Sequence, residues 1–160
     1  MSNFRRSWSR KGQRSVLPQM QAFENDYLFS AIQPCTGKNF HLIAMGSMST
    51  QTEFIFLTKL KEEHPHEQVY VVMDNAPCHK PKILHMLPGL SILYLPAYSP
   101  ELNPVERFFE EVRRFTANRV FTSMKALEKR LTKFIRSLTD DWVKQLTCYE
   151  WIERQCVGVS

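Results

Sequence analysis

The chain has 160 residues, enough for one domain with a sizeable core. Hydrophobic residues make up 43% and charged residues 23%, an ordinary globular balance, and no apolar run approaches the roughly 20 residues of a membrane helix. The net charge of +5 is unevenly placed, which points to a polyanionic partner and argues against a membrane role.

The chain opens on a basic, irregular stretch in which Arg5, Arg6, Arg10, Lys11 and Arg14 precede the first acid, Glu24. No apolar segment follows it, so it does not read as a secretory signal. With Trp8 among the arginines, it suits nucleic acid. A short extended piece is expected near residues 13–17. Tyr27–Gln33 mixes aromatic and β-branched residues and predicts a strand. Pro34-Cys35-Thr36-Gly37 is a turn, with Gly37 free to take positive φ. Asn39–Met45 is the returning strand of a hairpin.

Thr50–Glu63 places Phe54, Leu57 and Leu60 at helical spacing and stops before Pro65, which predicts an amphipathic helix. Val69–Met73 is a short, β-branched apolar run, the pattern of a strand buried on both faces in a parallel sheet. Residues 80–86 suit a short helix, and Ser91–Leu95 a second buried strand. The loop LPAYSPELNP carries Pro96, Pro100 and Pro104, each fixing its own φ and lowering the entropy lost on folding. Helices follow over Val105 to about Val120, with Phe108, Val112 and Phe115 on the core side, then over Met124–Leu138, with a third at Asp140–Leu146. The second of these holds Lys125, Lys129, Arg130, Lys133 and Arg136 against one acid, Glu128. That stretch fits either a solvated helix face or a polyanion contact. Without repeats or a low-complexity linker, residues 1–160 form a single domain.

Cys35, Cys78, Cys148 and Cys156 show no two-residue gap of a zinc or redox motif and read as reduced thiols of a cytoplasmic protein.

Two acids stand out. Asp74 closes the Val69–Met73 strand, and in open α/β sheets ligands gather at the carboxyl ends of strands. A carboxylate there keeps its charge only with a partner, and a divalent cation is a natural one. Position alone leaves a second role open, that of capping the following turn. Glu106 follows Asn103-Pro104-Val105, which is also a helix-start pattern: Asn103 as cap, Pro104 at the first helical position, Glu106 three residues after the cap. A stiff proline loop that returns an acidic helix start to the sheet edge favours a site over a cap.

Taken together these pieces resemble a known family. A strand ending in DNAPCH (Asp74 to His79), then a strand, then YSPELNPVE (Tyr98 to Glu106) resembles the catalytic domain of insertion-sequence transposases of the mariner superfamily. The basic RRSWSRKGQR (Arg5 to Arg14) and the hairpin extend the likeness over most of the chain. The resemblance implies a DDE endonuclease with an α/β, ribonuclease-H-like mixed sheet flanked by helices. It places the family's second catalytic Asp on Asp74 and its catalytic Glu on Glu106, both as metal ligands. Asn75, His79 and Asn103 become supporting polar residues, and Glu110, one turn past Glu106, a further possible ligand. It implies two Mg²⁺ (or Mn²⁺) ions about 3.5–4 Å apart. The implied activity is DNA cleavage and strand transfer during transposition, with transposon ends and target DNA as partners. A homo-oligomer or a full-length transposase is a further partner, and the implied location is the bacterial cytoplasm, on the nucleoid when bound to DNA.

The sequence departs from the family in one respect. The family's first catalytic Asp lies on the central strand, a few residues before the Arg-rich stretch. Here no acid precedes Glu24, and Glu24 and Asp26 do not match that position. The expectation is therefore a domain incomplete at its N-terminus, lacking the central strand and the family's helix-turn-helix region. Two functions fit: a catalytic domain completed from elsewhere, or an inactive remnant that only binds DNA or a full-length transposase. An unrelated nuclease of the same fold is a third.

Overall fold

A computed structural model describes residues 26–75, 82–117, 119 and 121–156. The basic run Arg5 to Arg14, the extended piece near 13–17, Cys78 and His79 lie outside the described residues. Two strands, β1 (Asp26–Ile32) and β2 (Asn39–Met45), pair antiparallel across the 33–38 turn, with Ser30 opposite His41 and Phe29 opposite Leu42. Gly37 takes φ 77°, the left-handed conformation that glycine enters at little cost. It is also tightly packed, since a Cβ there would lie 1.8 Å from the Asp140 carbonyl oxygen.

Helix α1 (Thr50–Glu62) starts on a reciprocal cap: the Ser49 hydroxyl accepts the Thr52 N–H at 3.2 Å, and the Ser49 N–H donates to the Thr52 hydroxyl at 3.0 Å. At its far end the Lys61 ammonium donates to the carbonyls of His64 and Glu67 at 2.7 and 2.8 Å. Those bonds lead the chain into β3 (Val69–Met73), which pairs in parallel with β4 (Leu90–Tyr94) across a connection that includes the 3-10 turn Lys82–Met86. A second 3-10 turn, Pro100–Leu102, precedes α2 (Val105–Thr116). Three helices follow: α3 (Met124–Arg136), α4 (Asp140–Thr147) and α5 (Glu150–Cys156). Among the described residues no helix is long and apolar enough to cross a membrane.

The core explains how these pieces hold together. Phe56 and Leu57 of α1 cluster with Leu84 and Leu90, all buried. On one side this cluster receives Phe29, Ala31, Phe40 and Leu42 of the hairpin, on the other Val69, Val71 and Ile92 of the parallel pair. Phe56 lies 5.5 Å from Phe29 and 5.7 Å from Phe40 between ring centroids. One helix thus serves as floor to both strand pairs, which share no ladder hydrogen bonds among the described residues. The opposite face of the hairpin is covered by α2: His41 stacks on the fully buried Phe108 at 4.7 Å. Phe108 in turn packs with Phe134 of α3, which meets Trp142 of α4 edge-on.

Two expectations need correction. The strands Val69–Met73 and Leu90–Tyr94 are not buried on both faces: Val69 and Val71 pack onto α1, while Tyr70, Val72 and Leu93 are exposed. Alternation sends successive side chains to opposite faces, and among the described residues only one face of this pair is packed. The mixed character of the sheet holds, with one antiparallel and one parallel pairing among the described residues. Finally, Cys35 is in a disulfide, whereas Cys148 is a free thiol. Sequence spacing identifies short-range cysteine motifs, and a pairing made by the fold escapes it.

Candidate functional site

Asp74 follows the last residue of β3, where the ladder ends: the Leu95 N–H donates to the Met73 carbonyl at 2.8 Å, and the next residue leaves the pairing. The strand therefore delivers Asp74 to the surface at its carboxyl end, with Asn75 half-buried beside it. Tyr94 is the register partner of Met73 and closes β4 at the same edge. Its hydroxyl lies 3.0 Å from Nε2 of His85. Burial, and then the nearby Glu53 carboxylate, push the Tyr94 phenol above its ordinary value.

The connections at its two ends set the direction of α1. Glu53, in its first turn, is near the carboxyl end of β4, while Lys61 reaches the Glu67 carbonyl just before β3. The chain enters α1 from Met45, the register partner of Asp26. The ends of the strand pairs that carry Asp26 and Asp74 therefore lie at the N-terminal end of α1. Two acids at this end were not singled out by motif spacing. Glu53 is 3% exposed and borders a cavity of about 690 Å³ lined by Met48, Ser49, Phe54, Ile55 and Ile83. Asp26 buries its Oδ2 without a hydrogen-bond partner among the described residues. An acid in the first turn of a helix was the available signal for Glu53, but its burial comes from the tertiary fold.

The proline loop leads from β4 back to α2. Within it Tyr98 takes φ 60° and stands wholly in water. A bulky residue in the left-handed region is strained, and such strain gathers at functional loops. Asn103 then organises the helix start. Its N–H donates to the Pro100 carbonyl at 3.0 Å, its Oδ1 accepts from Val105 N–H at 3.3 Å, and its carbonyl accepts from Glu106 N–H at 3.1 Å. Asn103 thus caps the helix start through its side chain, although Pro104 occupies the cap position and the helix proper begins at Val105.

Glu106 does not complete a capping box, because the Asn103 N–H that it would have to accept is already bonded to Pro100. Its carboxylate is about half exposed and faces Arg113, two turns along, at 3.9 Å. A surface pair at that distance contributes less than about 1 kcal/mol, so Glu106 is not tied down by a structural role. Glu110 lies one turn on and is exposed.

The oxygen donors fit a hard divalent cation. Mg²⁺ is commonly held by one or two carboxylates, with water and substrate phosphate filling its other positions. Among the described residues no three acids, histidines or cysteines are grouped closely enough to hold a metal ion. Asp74 and Glu106 are carried by different elements. One is carried by the parallel pair, the other by a helix seated on the hairpin through Phe108 and His41.

Comparison with known proteins identifies the family. Residues 1–128 match the family described as DDE superfamily endonuclease. The chain is 27% identical over 138 residues to the "Insertion element IS630 uncharacterized 39 kDa protein" of Shigella sonnei, covering 82% of this chain and 40% of that protein. It is 28% identical over 98 residues to "Uncharacterized protein y4pE/y4sA" of Sinorhizobium fredii, covering 59% of this chain and 71% of that one. Among solved structures, its fold is similar to the Mos1 transposase paired-end complex with left transposon end, with TM-score 0.70 and 17% identity. The Mos1 strand transfer complex gives TM-score 0.69 and 18% identity. Both superpositions cover 98% of this chain and 50% of the Mos1 chain, so the protein shares the ribonuclease-H-like fold of that half. The chain spans less than half the length of the IS630 protein.

Proposed function

Because the chain belongs to the DDE superfamily of endonucleases, we propose that it is the catalytic region of an insertion-sequence transposase, with Asp74 and Glu106 as its metal-binding carboxylates. The observation that carries this reading is the release of Glu106 from capping duty at the start of α2, taken with a strand that ends by exposing Asp74. A bound Mg²⁺ or Mn²⁺ pair would polarise a scissile phosphate and make water, or a DNA 3′-hydroxyl, a competent nucleophile. The chain's own residues do the positioning. Asn103 and the three prolines hold the first turn of α2, and with it Glu106. Arg113, which faces Glu106, would be placed to meet a phosphate oxygen if Glu106 held a cation. Transposon ends and target DNA are the proposed substrates, in keeping with the DNA complexes of Mos1.

A complete site of this kind takes three acids, and among the described residues no three acids, histidines or cysteines are grouped closely enough to hold a metal ion. Completion by a further segment or a second transposase chain is the first reading. The second is a remnant that binds DNA without cutting it. Manganese binding followed by electron paramagnetic resonance tests the shared premise. Asp74→Asn and Glu106→Gln should each weaken Mn²⁺ binding at least tenfold, and equal binding by wild type and both variants would sink it. Supercoiled plasmid then separates the two readings. Nicking restored by adding full-length transposase bearing its own Asp74- and Glu106-equivalent substitutions supports completion in trans, and none supports the remnant.

A further inference from the structure

We propose that the groove along α3 lined by Lys129, Thr132, Lys133, Arg136 and Ser137 is a docking surface for the phosphate backbone of duplex DNA. It names a DNA surface outside the acid pair, and it rests on the reading above only for the choice of DNA as the polyanion.

Five basic residues mark α3 in the sequence, and the fold gives them different tasks. Arg130 turns inward, its guanidinium 4.1 Å from the centre of the Phe115 ring, with Nε buried and unbonded among the described residues. Lys129, Lys133 and Arg136 line one concavity of about 480 Å³. No acid lines it, and none of the three has an ion-pair partner among the described residues. Cations in the last turn also complement the helix dipole, which accounts for Lys133 and Arg136. It does not account for Lys129, two turns before Arg136, or for the Thr132 hydroxyl set between Lys129 and Lys133. Three unpaired positive charges on one wall repel one another, and a row of phosphates relieves that cost.

The spacing fits the ligand. From Lys129 to Arg136 the helix rises about 10.5 Å, the axial length of about three phosphates on one strand of duplex DNA. The placement fits too. Arg130 touches Phe115 near the end of α2, and one turn later Phe134 stacks on Phe115 at 4.6 Å and reaches Phe108 at 6.3 Å. As α3 advances it therefore moves toward the start of α2. The Arg136 end of the groove is the end nearer Glu106, so a duplex lying along α3 points at the acid pair.

The test is a salt titration of binding to a labelled duplex, with chelator present so that no metal contributes. Replacing Lys129, Lys133 and Arg136 together by Gln should lower the slope of log affinity against log salt by about 2 to 3, at about 0.9 for each phosphate that is no longer neutralised. Binding at moderate salt should weaken by about ten- to a hundredfold, while circular dichroism stays that of the wild type. Lys133→Arg, which keeps the charge, should keep the slope. An unchanged slope in the triple variant overturns the proposal, as does a loss confined to anionic vesicles with DNA binding intact. The Asp74→Asn, Glu106→Gln double variant should keep its slope, so a failed acid pair and a failed groove give different results.

Discussion

The imidazole of His41 lies flat against the ring of Phe108, 4.7 Å between centroids, and joins the hairpin to the helix that carries Glu106. The ring's hydrogen bonds assign its tautomer. Asn39 donates its amide to the Gly37 carbonyl, so its Oδ1 faces His41 Nε2 at 2.9 Å and requires a proton there. Nδ1 then accepts from the Ser30 hydroxyl, also at 2.9 Å. Burial holds the pKa down to about 4 from the usual 6.5. Above pH 6.5 the residue is neutral in both the folded and unfolded chain. Between 6.5 and 4 the unfolded chain takes up a proton that the folded one refuses, so stability falls as pH falls through that window. The loss reaches about 3 kcal/mol at most. Urea midpoints at about pH 7 and about pH 5, on either side of the unfolded value, should differ in the wild type and draw closer in His41→Gln.

Metal binding and folding should separate at the acid pair. Asp74→Asn and Glu106→Gln remove charges at exposed or half-exposed positions, and each should shift stability by less than about 1 kcal/mol while the Mn²⁺ signal weakens. A large drop in melting temperature would recast either residue as structural.

The tight turn offers a sharper stability test. Gly37→Ala forces a side chain into left-handed backbone and drives its Cβ against the Asp140 carbonyl. The left-handed backbone alone costs about 1–2 kcal/mol, and the clash adds to it by pushing the turn off the start of α4. Denaturant unfolding should show at least that loss.

Leu57 makes the strongest demand on the core. It is fully buried beneath both strand pairs, and Leu57→Ala should cost about 2–5 kcal/mol. It should also weaken Mn²⁺ binding, although Leu57 lies in neither strand pair. Unchanged binding in a folded Leu57→Ala protein would show that α1 does not set the separation of the acids.

Much of this was legible beforehand. Asn39–Met45 and Val69–Met73 have the bounds that their patterns indicate, and Phe108 is buried as the α2 periodicity requires. The rest depended on tertiary context. Phe56 lies off the stripe of Phe54, Leu57 and Leu60, yet it is buried because α1 faces two strand pairs and needs a wider apolar arc. The same double duty buries Glu53. Tyr70 and Val72 have the composition of a doubly buried strand, and composition does not say how many layers arrive. Helix α5 carried no capping signal of its own. The motif singled out Asp74 and Glu106. Only the hydrogen bonds around Asn103 showed that Glu106 is not a helix cap.

The division of the strands into two ladders over one helix has a thermodynamic consequence. Asp74 moves with one ladder and Glu106 with the helix resting on the other. If the two acids share an ion, as proposed, that ion works as a rivet, and part of its binding energy is spent stiffening the joint at α1. Calorimetric scans should register this as a sharper unfolding peak with Mn²⁺ present, beyond the upward shift that any ligand of the folded state produces.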